Sequence, residues 1–195
     1  MKINFLSNDF EIYLLKKLNV SEITTEELNK VKEISLNAIG NNGIKNDYDF
    51  RDFEKLKNLK FVSLQNFVIK NYQTNEINRC LKIEGLQFSN CIFKSKSRLQ
   101  GNIEKISFDN CKRLSFKYVS ILKKLKIINF SNIMFINLKR IGKLKNLEKI
   151  YFENDIILNF KKLAELKNLL YIRLINCKWD KTQEKYLNKS IEVEK

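Results

Sequence analysis

The sequence predicts an α/β solenoid: a parallel β-sheet on one concave face, short helical or 3₁₀ returns behind it, and a helical cap at the N-terminal end. Three observations carry this. First, six asparagines, Asn66, Asn90, Asn110, Asn132, Asn154 and Asn176, each stand two residues after a large apolar anchor. Those anchors, Leu64, Phe88, Phe108, Phe130, Phe152 and Leu174, fall 24, 20, 22, 22 and 22 residues apart, which is an internal repeat. Second, another aliphatic stands two residues before every anchor, at Val62, Leu86, Ile106, Ile128, Ile150 and Ile172, the alternation of a strand with one face inward. Third, aliphatics precede in steps of three, as in Leu56 and Leu59, Leu122 and Leu125, Leu144 and Leu147, Leu166 and Leu169, which suits a helical or 3₁₀ return. One strand and one return per ~22 residues cannot bury their own apolar face, so successive coils must stack.

The 195 residues read as one domain, with residues 1–19 as the N-terminal helical cap, 20–179 as about seven repeats and 180–195 as a C-terminal cap. Asn8-x-x-Glu11 opens an apolar helical segment containing Phe10, Leu14 and Leu18, and Thr24-x-x-Glu27 is a capping box leading into the first coil. Leu36 is an earlier anchor, 28 residues before Leu64, with Ile34 before it and Ala38 where the asparagine would stand. The segment GNNGIKNDYD, residues 40–49, lengthens this first unit and is expected to be a mobile surface loop, with Asp47, Asp49 and Asp52 read as solvated. Seven parallel strands are expected, centred on residues 33–37, 61–65, 85–89, 105–109, 127–131, 149–153 and 171–175. Asp180-x-x-Gln183 starts a final helix through Tyr186 and Leu187, and Ile191 and Val193 form a shortened last rung.

The unit L-x-x-L-x-x-[IV]-x-[LF]-x-N-x-x-apolar is clearest in LKNLKFVSL (56–64), LKNLEKIYF (144–152) and LKNLLYIRL (166–174). It resembles the leucine-rich-repeat family over residues 20–179, and within it the bacterial 22-residue class of the internalins. The resemblance implies strands on the concave face of a solenoid and a protein–protein interaction module without catalysis. The chain departs from the family in one position. The inward Asn or Cys of the family stands three residues after the anchor, where this chain has Ile39, Phe67, Cys91, Cys111, Ile133, Asp155 and Cys177. Its asparagines come one residue earlier and are expected to bond backbone groups where each strand turns away. The secreted context of internalins is also missing: the first twenty residues lack a basic region, an unbroken apolar stretch and a small-residue cleavage site. The chain is read as cytoplasmic, from a low-GC bacterium or its phage.

The figures FSNC, FDNC and LINC raise the question of a metal or redox site. In stacked coils, Cys91, Cys111 and Cys177 occupy the inward position, where a small apolar thiol packs well. Strands ~4.8 Å apart put Cys177 on the order of 15 Å from Cys111, too far to share a metal. Cys91 and Cys111 are on adjacent rungs, within reach of a disulfide, although a reducing compartment favours free thiols. No histidine is present, which removes Ser-His and Cys-His nucleophile pairs and most catalytic zinc sites. No Gly-rich phosphate-binding figure occurs, and no run of ~18 apolar residues could cross a membrane. No enzyme, cofactor or metal is expected.

Function then depends on what projects from the strands. Their outward residues carry Glu33, Asp109 and Glu153 against Lys105, Lys149 and Arg173, with aromatic and aliphatic residues collecting toward the C-terminal end. The candidate partner-binding residues are Phe61, Lys105, Asp109, Lys149, Tyr151, Glu153, Tyr171, Arg173 and Ile175, since aromatic and arginine anchors dominate interface energetics. The net charge of +15 sits mainly on the returns, where Lys57, Lys123, Lys145 and Lys167 recur seven residues before the anchors as candidate electrostatic contacts. The expected partner is another protein with an acidic surface, bound by a monomer or weak oligomer. The alternative is a nucleic-acid-associated protein, or a small inhibitor that blocks a nucleic-acid-handling enzyme such as a bacterial defence nuclease. Lysine outnumbers arginine and no aromatics interleave the basic rows, which weighs against specific nucleic-acid recognition.

Overall fold

Alternating inward aliphatics at each repeat produce the expected strands, and all of them pair in parallel. The computed structural model describes residues 3–40, 43, 45–94, 98–115 and 119–195. In chain order the elements are α1 (Asn8–Leu18), α2 (Thr25–Lys30), β1 (Glu33–Asn37), β2 (Phe61–Gln65), β3 (Val68–Ile69), α3 (Asn71–Arg79), β4 (Gly85–Ser89), β5 (Ile92–Phe93), β6 (Lys105–Asp109), β7 (Ile127–Ser131), β8 (Ile136–Asn137), β9 (Lys149–Glu153), β10 (Ile156–Leu158), β11 (Tyr171–Ile175), β12 (Lys178–Trp179) and β13 (Glu192–Glu194). Eight of the strands form one sheet in the order β1-β2-β4-β6-β7-β9-β11-β13. Short 3₁₀ segments at Phe50–Lys55, Leu138–Lys143, Phe160–Glu165 and Lys181–Tyr186, and α3 in the second coil, bring the chain back.

Register is in step throughout, so each inward position forms a row through the stack. Leu36 stands opposite Leu64, Leu64 opposite Phe88, and Phe88, Phe108, Phe130 and Phe152 follow in turn. The four phenylalanine rings stack at centroid separations of 5.6, 5.8 and 5.6 Å, near-parallel at 10, 14 and 14°. The 4.8 Å rung spacing itself produces this stack, because identical side chains in identical rotamers repeat with the backbone.

Each repeat asparagine is the point at which the chain leaves the sheet. Asn66, Asn90, Asn110, Asn132, Asn154 and Asn176 all have left-handed backbone, with φ of 63, 53, 46, 58, 57 and 51°. Asparagine tolerates this region far better than β-branched or bulky residues, which explains its recurrence one residue before the inward position. The side chains do something other than the expected bonding to backbone. The Nδ2 of Asn66 donates to Asn37 Oδ1 (2.8 Å), Asn110 to Asn90 (2.8 Å), Asn132 to Asp109 Oδ1 (2.8 Å) and Asn154 to Asn132 (2.9 Å). The amides thus bond from rung to rung, since identical turns bring them side by side. A second set of asparagines does meet backbone: Asn58, Asn146 and Asn168, from the LKNL figure, donate to the carbonyls of Asn29, Lys123 and Lys145 in the preceding coil.

Past these turns the chain forms minor sheets that the repeat pattern did not announce, β3 with β5 and β12-β10-β8, all parallel. They bury Ile69, Phe93, Ile136 and Ile157. The unit consensus assigns Phe135 to that inward position. One extra residue in this turn points Ile136 inward instead and leaves Phe135 58% exposed beside Met134.

At the N-terminal end Ser7, rather than Asn8, caps α1, its hydroxyl accepting from the Phe10 amide at 3.1 Å. Thr24 caps α2 by accepting from Glu27 N at 3.2 Å. Phe10 and Leu14 are fully buried, and the Phe10 ring lies 5.7 Å from Phe53. Tyr13 accepts a hydrogen bond from Ser35 N at 2.8 Å, so α1 satisfies an amide of the edge strand β1 that has no further strand to pair with. Asp52 is a correction to the solvated reading: it is completely buried and accepts from Leu6 N (3.0 Å), Ser7 N (2.9 Å) and Lys55 Nζ (2.6 Å). The loop reading of 40–49 falls partly on 41, 42 and 44, outside the described residues. The part from 45 onward is tied down, with Asn46 donating to the carbonyls of Ala38 and Asn37 and Asp47 N to Asp9 Oδ2. At the other end Asp180 caps a 3₁₀ segment, where a helix was expected.

Candidate concave site

Because every coil repeats the same register, the outward side chains fall into three rows running across the strands. The first row includes Phe61, Gly85, Lys105, Ile127, Lys149 and Tyr171 in succession. The second includes Gln87, Ser107, Asn129, Tyr151 and Arg173, and the third Ser89, Asp109, Ser131, Glu153 and Ile175. Over β6, β7, β9 and β11 they enclose a hollow of 540 Å³. Lys105, Asp109, Tyr151, Glu153, Arg173 and Ile175 line it, together with Ile127 and Asn129. Ile127 and Asn129 are visible in the sequence as outward positions, but only the stacking shows that they form its floor.

The remaining candidates lie elsewhere. Phe61 lies away from the hollow, its ring folded over Gly85, where a Cβ would come within 2.5 Å of the ring. Lys149 and Tyr171 are side by side on the first row, and the Tyr171 ring stands 5.5 Å from Tyr151. Tyr171 donates its hydroxyl hydrogen to Glu194 on β13, and Arg173 makes an ion pair with the same carboxylate at 3.0 Å. The hydrogen bond to Glu194 pushes the Tyr171 phenol up to about 12. Glu194 follows Val193 of the shortened last rung, but only the observed register, with Glu194 opposite Arg173, shows that it meets those two residues. On the floor, Asn129 Nδ2 donates to Ser107 Oγ at 2.9 Å, and its side-chain oxygen has no hydrogen-bond partner among the described residues.

Lys57, Lys123, Lys145 and Lys167 are exposed on the returns. The last three sit on successive coils, joined through the Asn146 and Asn168 bonds to the carbonyls of Lys123 and Lys145. Next to this line, Lys60 pairs with Glu84 (2.9 Å) and Lys126 with Glu104 (3.0 Å), so part of the basic surface is neutralised within the chain.

The cysteines are free, with Cys91 and Cys111 buried and Cys177 and Cys80 partly buried. Cys91 Sγ donates to Leu64 O (3.4 Å) and Ser89 O (3.3 Å), and Cys111 Sγ to Phe88 O and Asp109 O (both 3.4 Å). The hydrogen bond with Cys91, and then burial, push the Cys111 thiol up, and burial pushes the Cys177 thiol up. A protonated thiol here covers strand-end carbonyls, which is a structural task. Among the described residues no group of three or more Cys, Asp or Glu side chains is arranged to hold a metal ion, and no helix is long and apolar enough to cross a membrane.

Asp155 occupies the same inward position with the opposite polarity, accepting from Ile133 N at 2.7 Å and Glu153 N at 3.1 Å while 1% exposed. Burial raises its carboxyl from 3.8 to about 6. The folded chain therefore holds this proton more tightly than the unfolded one. That contribution is complete below about pH 4 and is lost as pH rises through 6. Relative to an Asp155→Asn variant, which cannot titrate, the wild type should lose about 2 kcal/mol between pH 4 and 7. Urea melts at both pH values check this; a pH-independent difference would mean that the carboxylate ionises in place without cost.

No family model matches the chain, and no curated protein matches it. Among solved structures, internalin C2 of Listeria monocytogenes aligns with a TM-score of 0.59 over 97% of this chain and 93% of that one, at 16% identity. An internalin F from the same species gives a looser likeness, with a TM-score of 0.37, 11% identity, and coverage of 97% and 75%. The first likeness, with the eight-stranded parallel sheet and its short returns, establishes the fold as a leucine-rich-repeat solenoid.

Proposed function

We propose that this protein is a non-catalytic interaction module that acts in the cytoplasm and binds another protein across its concave sheet. The observation that carries this is the hollow itself: Tyr151, Arg173, Ile127 and Ile175 line a 540 Å³ depression on a rigid, fully paired sheet. Aromatic, arginine and branched aliphatic side chains held on neighbouring strands are the groups that anchor protein interfaces, because they bury large areas at low entropy cost. Chemistry has little to draw on there, since the hollow offers no histidine and no buried nucleophile, and its two carboxylates, Asp109 and Glu153, stand two rungs apart, ~10 Å.

Truncating Tyr151 or Arg173 to alanine is expected to weaken capture of the native partner by about 2 kcal/mol with the fold intact. Reversing Lys145 and Lys167 to glutamate should instead slow association and change its salt dependence, as exposed rim charges steer encounter more than they hold the complex. Crosslinking and recovery from the native host identifies the partner, and titration of the variants at two salt concentrations ranks the sites. The basic returns favour a second reading, the binding of an anionic polymer or the occlusion of an enzyme that handles one. It expects the reverse ranking, with lysine reversal abolishing binding and the tyrosine change nearly silent.

A further inference from the structure

The three rows of the concave face differ in charge, and that difference points to the shape and polarity of the partner. Over β6 to β11 the first row carries Lys105 and Lys149, the third carries Asp109 and Glu153, and the second carries Ser107, Asn129, Tyr151 and Arg173, the last already neutralised by its ion pair with Glu194. Ile127 stands between the two lysines, and Ile175 follows Glu153 on the third row. Lys105, Lys149, Asp109 and Glu153 enter none of the ion pairs found among the described residues, so their charges are available to a ligand. A basic edge and an acidic edge therefore run side by side, with a neutral, partly apolar channel between them.

The dimensions of that channel are set by strand geometry. Positions 105 and 109 are four residues apart on one strand, so the two charged rows lie ~13 Å apart. An α-helix with its side chains is ~10–12 Å across and lies between such rows with both flanks in contact. Crossing from β6 to β11 takes three rungs, ~14 Å, the length of nine or ten helical residues. A partner strand cannot pair here, because the backbone groups on this face are already committed to the ladders on either side. A polyanion would gain Lys105 and Lys149 but lie against Asp109 and Glu153, which opposes it.

From these constraints, and resting on the protein-binding reading above, we infer that the hollow receives one amphipathic helix of the partner laid across the strands. Its apolar stripe faces Ile127, Tyr151 and Ile175, its acidic flank faces Lys105 in the hollow and Lys149 beyond it on the same row, and its basic flank faces Asp109 and Glu153. The two charged rows fix which way round the helix is rolled, and like-charge contact rejects a helix whose flanks are exchanged.

The test uses a displayed library of ~18-residue helical peptides with a constant apolar stripe and flanks randomised among Glu, Lys and Ser, mixed with proline-interrupted extended peptides of the same composition. Selection is run against the full chain, against Tyr151→Ala, and against a polarity-reversed variant carrying Lys105→Glu, Lys149→Glu, Asp109→Lys and Glu153→Lys, each first checked for native circular dichroism. Enrichment of helices with Glu on one flank and Lys on the other, at least tenfold weaker on Tyr151→Ala and with flanks exchanged on the reversed variant, is the expected result. Enrichment of extended peptides that still depend on Tyr151 overturns the helix and leaves the concave protein-binding site standing. Helices whose flank charges are uniform, or unchanged on the reversed variant, overturn the polarity. Binding that ignores Tyr151 altogether, or no enrichment of either class, overturns the site as well as its occupant.

Discussion

Phe108→Ala should lower the free energy of unfolding by about 4 kcal/mol, within the range for deleting a buried aromatic. The ring is 1% exposed and has Phe88 at 5.6 Å on one side, Phe130 at 5.8 Å on the other and Phe93 at 5.7 Å edge-on. Its neighbours are held at the spacing of hydrogen-bonded rungs, so they cannot close over the cavity without breaking ladder bonds. Stacking of ~0.5–1.5 kcal/mol per pair is lost on both sides as well. Ser107→Ala, one residue away and outward, should cost little, since it removes only an acceptor used by Asn129. Denaturant titration of the two variants is decisive. A small loss for Phe108→Ala would show that the stack is loosely packed and able to collapse.

A comparable loss, about 3 kcal/mol, is expected from Asp52→Ala. This carboxylate is fully buried and accepts from both Leu6 N and Ser7 N, while it also meets the Lys55 ammonium. Removing it leaves two amides without their acceptor, and a partly buried cation with only the Phe5 ring at 5.5 Å, at the point where α1 joins the first coil. Asp52→Asn, which keeps an acceptor without the charge, should fall between the variant and the wild type. Hydrogen exchange should locate the damage in α1 and in the 50–55 return. Uniform destabilisation of all coils, or a loss below about 1 kcal/mol, would mean that the N-terminal segment is held by Phe10 and Leu14 alone.

Strand positions were legible because their signal is local and repeated. An inward aliphatic at alternate positions, recurring with the anchors, leaves one face able to enter a core, and stacking is then the way to bury it. The outward side of each strand followed from the same alternation, so Lys105, Asp109, Tyr151, Glu153, Arg173 and Ile175 share one face and line the hollow, whereas Phe61, Lys149 and Tyr171 share the face without lining it. The asparagine signal was equally periodic, but its cause was read one step short. The residue type is set by left-handed backbone at the strand end, and the amide ladder is a consequence of identical turns being stacked.

What the sequence by itself determined is therefore the rung: its strand, its inward and outward sides, its turn and its return. What only the tertiary structure decided is which rungs' side chains meet. The pairing of Asp52 with Leu6 and Ser7 spans 46 and 45 positions, that of Glu194 with Tyr171 and Arg173 joins a terminal strand to a repeat, and Phe61 covers Gly85 because those strands are neighbours. The basic and acidic rows have the same origin. Lys105 and Lys149 are 44 residues apart in the chain but two rungs apart in space, because a solenoid converts each ~22-residue period into a single ~4.8 Å step.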